Sequence, residues 1–157
     1  MDLVTRAALV AALLLVSALT WWALTRRASR FRPARHDGRA LLTAQQLGSP
    51  LGTRATLVQL SAATCSTCPR VAAVLSSTAA SLPGVQHVEL RVEERMDLVE
   101  RYGVLRTPTV LLLDADGGLA SRMSGPLDSD TARTAIDAVT RTAAPRRTAP
   151  TAGESLD

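Results

Sequence analysis

Cys65 and Cys68 are the only cysteines of the chain, and two residues, Ser66 and Thr67, separate them. With that spacing one helical turn brings the two sulfurs together, so a disulfide can close and open with little backbone movement. The pair follows an apolar run, ATLVQLS at 55–61, and opens a stretch with helical periodicity at 68–82. At a helix N-terminus, Cys65 meets unsatisfied backbone N–H groups and the positive end of the helix dipole. Both stabilise a thiolate and make Cys65 the better nucleophile. Cys68, one turn further in, is the less exposed sulfur and suits the resolving of a mixed disulfide. Pro69 is tolerated because first-turn positions need no N–H partner. Arg70 adds positive charge nearby as a tuning group, although a solvated arginine accounts for it equally well.

Three other readings compete. Buried cysteines can be inert, but a helix opening is a reactive environment. A structural disulfide closing so short a loop adds little stability. A metal site needs more ligands: the only histidines are His36, in a linker, and His87, in a strand, so zinc would require a second chain. No metal is therefore expected, with Cu(I) held by the two thiolates as the remaining alternative. Thiol–disulfide exchange is the favoured chemistry, and it needs no cofactor beyond a redox-active Cys65–Cys68 disulfide.

A second feature lies further along, where Arg106-Thr107-Pro108-Thr109 leads into the apolar run VLLL. Proline at the first residue of a strand is common. A cis Thr107–Pro108 bond would instead expose the Thr107 backbone for strand-like pairing with a substrate peptide. The sequence leaves both isomers open.

The elements that must position these residues are legible from periodicity. Residues 55–61 read as a buried strand. In 68–82, Val71, Ala72, Leu75, Ala79 and Leu82 form a helical stripe that Pro83-Gly84 ends. VQHVELRV at 85–92 alternates as a strand, and a short helix through Asp97–Arg101 stops at Gly103. TVLLLD at 109–114 is a second buried strand, ADGG at 115–118 a hairpin signal, and 119–125 its return strand. Ser129–Arg141 repeats Ala132, Ala135, Ile136 and Val139 as an amphipathic helix. Strand, helix, strand, helix, strand, strand, helix makes an α/β domain over 54–142. The tail 143–157, rich in Pro, Arg, Thr and small residues, reads as disordered.

A buried strand, C-x-x-C opening a helix, the connection RYGVLRTPTVLLLD and then D-G-G with a hairpin together resemble the thioredoxin family. The resemblance covers 54–142 and implies a thioredoxin-like fold, a central mixed β-sheet flanked by helices. It implies Cys65 as attacking thiol, Cys68 as resolving thiol, and Thr107-Pro108 as the cis-proline loop facing them, with Thr64 beside the dithiol and Arg106 beside the loop. Two departures stand out. Where the family usually reads W-C-G-P-C, this chain has Thr64-Cys65-Ser66-Thr67-Cys68. The family's buried Asp, six residues before the first cysteine, falls on Gln59, and the Lys that commonly neighbours it on Glu89. Gln59 cannot accept a proton as a carboxylate does, so redox direction and rate are open to retuning.

Composition bounds the rest. The 157 residues have room for one ordinary domain, and 46% hydrophobic residues exclude wholesale disorder. All 18 basic residues are arginine. Residues 1–40 carry a formal charge of +5, and the remaining 117 carry −1. The body of the protein is thus near neutral, and Tyr102 is its only aromatic residue after Phe31, so neither a basic grip nor a stacking platform for nucleic acid exists.

Residues 7–24 hold no charge, and at about 1.5 Å per residue they span about 27 Å, close to the hydrocarbon thickness. Trp21 and Trp22 stand near its C-terminal end, where indoles favour the headgroup region. A single-span anchor at 7–24, after a flank at 1–6 and before an Arg-rich linker and lead-in at 25–53, is the expectation, with a cleaved signal peptide as its rival. The arginines after the helix bias the domain toward the cytoplasmic face of the cell membrane, an extracytoplasmic domain being the alternative. The expected partners are protein or small-molecule disulfides and dithiols, an external electron donor or acceptor, and membrane lipid along 7–24. The expected function is a membrane-tethered thiol–disulfide oxidoreductase of bacterial type, working as a reductase. A thioredoxin-like binding or assembly module without redox turnover is the alternative.

Overall fold

The computed structural model describes residues 3–28, 31–33 and 41–142. The tail at 143–157 and most of the arginine-rich part of the linker lie outside the described residues. The chain begins with helix α1 (Leu3–Ala28), whose side chains are described over 9–22 and are exposed there. Among the described residues no helix is long and apolar enough to cross a membrane.

The remaining elements are strand β1 (Arg32–Pro33), helix α2 (Ala44–Leu47), strand β2 (Ala55–Ser61), helix α3 (Cys68–Ser81), strand β3 (Val85–Arg91), a 3-10 turn (Val92–Glu94), helix α4 (Met96–Tyr102), strands β4 (Thr109–Asp114) and β5 (Leu119–Ser124), and helix α5 (Ser129–Thr142). They form one mixed sheet in the order β1-β5-β4-β2-β3. Strand β2 runs parallel to β3 and antiparallel to β4, and β5 pairs antiparallel with both β4 and β1. A parallel β2–β3 pair requires a crossover connection, and α3 supplies it.

Both central strands are buried on both faces, which is why their sequences are near-continuous apolar runs. Alternation still sorts their side chains. Ala55, Leu57, Val110 and Leu112 pack with Val71 and Leu75 of α3 and with Ala132, Ile136 and Val139 of α5. Val58, Leu60, Leu111 and Leu113 pack on the other face with Leu98, Tyr102 and Val104.

Two features depart from the expected layout. The lead-in is part of the packed unit, since Leu42 and Leu47 are buried in the second cluster. Thr43 caps α2 there, its hydroxyl accepting from the Gln46 N–H at 3.3 Å while Gln46 Oε1 accepts from the Thr43 N–H at 3.1 Å. Gly117, in the left-handed region at φ 84°, lets the hairpin lie against this segment; a Cβ there would meet Leu42 O at 2.1 Å. The second departure is β1. Arg32 and Pro33 pair with Arg122 and Ser121 at the sheet edge, and Phe31 packs against the first cluster.

Candidate active site

The C-terminal end of β2 and the N-terminal end of β4 lie at the same end of the sheet, because Leu60 pairs with Thr109 in an antiparallel register. The Cys-x-x-Cys segment leaves the first and Thr107-Pro108 enters the second. Topology therefore brings together the two segments that the sequence singled out. The Thr107–Pro108 peptide bond is cis. Its loop is held from β5, where the Gly125 N–H donates to Pro108 O at 2.9 Å, and Thr109 Oγ1 donates to Arg106 O at 2.8 Å. Pro108 is buried, Thr107 half-buried and Arg106 exposed.

Cys65 and Cys68 are joined as a disulfide, with their Cα atoms 5.5 Å apart. As the periodicity over 68–82 predicts, α3 opens at Cys68, and Cys65 sits in the turn before it, its N–H donating to Ala62 O at 3.1 Å. Pro69 is the reason. Lacking an N–H, it cannot donate back to Cys65 O, so the first backbone bond of the helix runs from Val71 to Thr67 at 3.2 Å. Cys65 remains at the positive end of α3, 3.7 Å from Thr67 Oγ1. Exposure separates the two sulfurs' residues. Cys65 is half-buried, whereas Cys68 is 3% exposed. Thr64 and Arg70 are exposed beside them.

Beneath Cys68 lies a polar group that the apolar run of β2 conceals. Gln59 alternates onto the α3 face and is fully buried. Its Nε2 faces three acceptors: Ser61 Oγ at 2.8 Å, the Cys68 carbonyl at 3.1 Å and Glu89 Oε1 at 3.3 Å. Ser61 Oγ in turn donates to Glu89 Oε1 at 2.6 Å. Glu89 pairs in register with Gln59 across the parallel β2–β3 ladder. Period-two alternation in β2 and β3, once the strands are paired, would have found this cluster.

Glu93 escaped the sequence reading altogether. Its carboxylate accepts from the Ala63 N–H at 2.9 Å and so ties the turn before Cys65 to the 3-10 turn after β3. That hydrogen bond holds the Glu93 carboxyl below the usual carboxylate range. No spacing announces a contact between residues 30 apart in an irregular segment. Among the described residues no three His, Cys, Asp or Glu side chains come together as a metal-ligating group.

The family model for thioredoxin matches residues 43–138. A thioredoxin mutant from Halobacterium salinarum is 26% identical, over 56% of this chain and 76% of its own, with a TM-score of 0.51. A thioredoxin from Nicotiana alata is also 26% identical, over 55% of this chain and 74% of its own, with a TM-score of 0.50. A malarial protein at 14% identity shares the fold, covering 55% of this chain and 97% of its own at a TM-score of 0.50. No match was found among the curated proteins. A mixed sheet with helices on both faces, a close cysteine pair where β2 hands over to α3, and a family model spanning most of the packed residues lead to one conclusion: the chain belongs to the thioredoxin family.

Proposed function

We propose that this protein is a membrane-tethered thiol–disulfide oxidoreductase acting through Cys65 and Cys68, with reduction of substrate disulfides as its working direction. The observation that carries this reading is the contrast between a half-exposed Cys65 at the positive end of α3 and a Cys68 buried behind it. A substrate reaches only the first sulfur, and the helix end favours the thiolate there.

In the reduced protein the Cys65 thiolate attacks one sulfur of a substrate disulfide. A Cys65–substrate bond forms, the substrate disulfide breaks, and the departing sulfur takes up a proton. Cys68 then loses its proton and attacks Cys65 Sγ. The Cys65–Cys68 bond forms, the mixed disulfide breaks, and the substrate leaves as a dithiol, reduced by two electrons that the protein has lost. With no further cysteine in the chain, an external dithiol reductant must restore the starting state. Thr107, preceding the cis-proline, offers backbone for a substrate strand, and Thr64 flanks the attacking sulfur. The exposed apolar side chains of α1 from Leu9 to Trp22 support the tether. The arginines that follow them support a cytoplasmic domain, where a reducing environment favours the reductase direction.

The test is insulin reduction with dithiothreitol as the recycling reductant. The unaltered protein is expected to accelerate it, Cys65→Ser to lose all acceleration, and Cys68→Ser to accumulate a mixed disulfide with substrate. A Cys65→Ser protein that still reduces insulin would refute the assignment.

A further inference from the structure

Strand β1 fixes more than an edge, because its register gives the direction from which the chain arrives. Arg32 pairs with Arg122, Arg122 with Leu111, and Leu111 with Val58, so these residues form one row across the sheet. Pro33 pairs with Ser121, in the next row away from the dithiol. The chain therefore enters β1 from the side of Leu60, Thr109 and Ser124, the end at which Cys65 and the Thr107-Pro108 loop lie.

Phe31, packed against the first core cluster, pins this entry point. Helix α1 ends at Ala28, so the chain between Ala28 and Phe31 spans at most about 11 Å. A linker free over 25–53 would reach on the order of 100 Å, and β1 cuts that to about a tenth. Across the sheet β1 and β2 are three strand spacings apart, about 14 Å. Ala28 in turn stands about 6 Å of helix past the uncharged stretch 7–24, within the headgroup layer of a bilayer spanned by that stretch.

Resting on the tethered-oxidoreductase reading, we propose that β1 holds the dithiol end of the domain toward the membrane, and that its substrates are disulfides of membrane proteins lying close to the bilayer surface. The site meets such a disulfide at high effective concentration, while one held well above the surface is out of reach. Exposed apolar side chains agree. The connection from β3 to β4 leaves beside Ser61 and returns beside Leu60, so it belongs to the same end of the sheet. It carries exposed Met96 and, next to Arg106-Thr107-Pro108, Leu105 at 94% exposure. Burial of these side chains against the apolar flank of a membrane-spanning substrate is favourable.

Two measurements on the full chain in phosphatidylcholine–phosphatidylglycerol vesicles test this. The first reads position. A fluorophore is placed on Cys65 in Cys68→Ser, or in the hairpin beyond β4 in Cys65→Ser/Cys68→Ser/Asp116→Cys, and is quenched by lipid bearing a nitroxide headgroup. Strand β4 separates the two labels by about 20 Å, so the Cys65 label should be quenched about twofold more strongly. Phe31→Asp, which expels the pin from the cluster, should bring the two labels level. Equal quenching in the protein with Phe31 in place, or stronger quenching of the hairpin label, overturns the proposal. The second reads substrate, with dithiothreitol as recycling reductant. A disulfide loop is carried on a single-span peptide either next to the membrane or beyond a helical spacer of about 60 Å. The near disulfide should be reduced about tenfold faster than the far one, and equal rates overturn the proposal. A chain that does not float with the vesicles overturns the tether and this proposal with it. One that floats but reduces neither disulfide counts against the oxidoreductase reading, and the label positions still decide the orientation.

Discussion

His87 illustrates what a single side chain does when alternation carries it inward. It pairs in register with Leu57 and shares the α3 face of the sheet, where its Nδ1 lies 2.9 Å from Ser76 Oγ. Its Nε2 is buried and has no partner among the described residues. Burial pushes the imidazole pKa below its ordinary value of 6.5, and the nearby Glu89 carboxylate opposes this more weakly. The unfolded chain then binds more protons than the folded one just below that ordinary value. Stability is therefore fully present above it and is lost as pH falls through the depressed folded value. Denaturant midpoints of the full chain should fall as pH is lowered from about 6.5, and His87→Gln should flatten that slope. Equal slopes in the two proteins would contradict this origin. The depressed carboxyl groups of Glu93, Asp97 and Asp128 act in a separate window at lower pH, so they do not confuse the comparison. At this scale Cys65, Cys68 and Pro108 are visible in the sequence because their chemistry is singular. Gln59 and Glu89 are named only through the family resemblance, and Ser61 and Glu93 are not visible, since a serine or glutamate reads as ordinary solvated surface until its neighbour is known.

Among the elements, those with a strong period were the legible ones. ATLVQLS and TVLLLD are apolar enough to be strands only if covered on both faces, and the two core clusters cover them. Helix α3 buries Cys68, Val71, Leu75 and Thr78, the stripe expected of a crossover helix, and α5 buries Ala132, Ala135, Ile136 and Val139. Strand β3 ends at Arg91, where a 3-10 turn takes up Val92. What escaped detection lacks a period of its own. Strand β1 is two residues held by backbone bonds at an edge, where neither an arginine nor a proline signals a strand. Helix α3 opens at Cys68, where the periodicity over 68–82 places it, and the missing N–H of Pro69 keeps Cys65 outside its bonded turns. The lead-in around Leu42 and Leu47 gave too few apolar residues for its burial to be read, because its cover comes from elements distant in sequence.

At the scale of the molecule, the packed unit and the N-terminal helix obey different rules. The unit from Leu42 onward hides its large apolar residues, with few exceptions such as Leu105. Helix α1 does the reverse, exposing Leu9, Leu13, Leu14, Val16 and both tryptophans. Apolar exposure on that scale in water is unfavourable, and a lipid environment removes the cost. For the proposed tether, the chain should sediment with membranes. An alkaline phosphatase fused after residue 142 should be inactive and a fluorescent protein in its place bright, as a cytoplasmic domain requires. The reverse pattern would place the dithiol on the extracytoplasmic side and remove the argument for the reductase direction.

The most direct test of the central claim is the redox equilibrium of the Cys65–Cys68 pair. The protein is equilibrated across glutathione and dithiothreitol buffers, and its thiols are then counted by alkylation with a mass tag. Tryptophan quenching cannot serve, because the only tryptophans are Trp21 and Trp22 in α1. A reversible two-electron transition near the thioredoxin value of about −270 mV is predicted. A transition near about −120 mV would contradict the reductase direction, and cysteines that show no coupled transition would contradict the account as a whole.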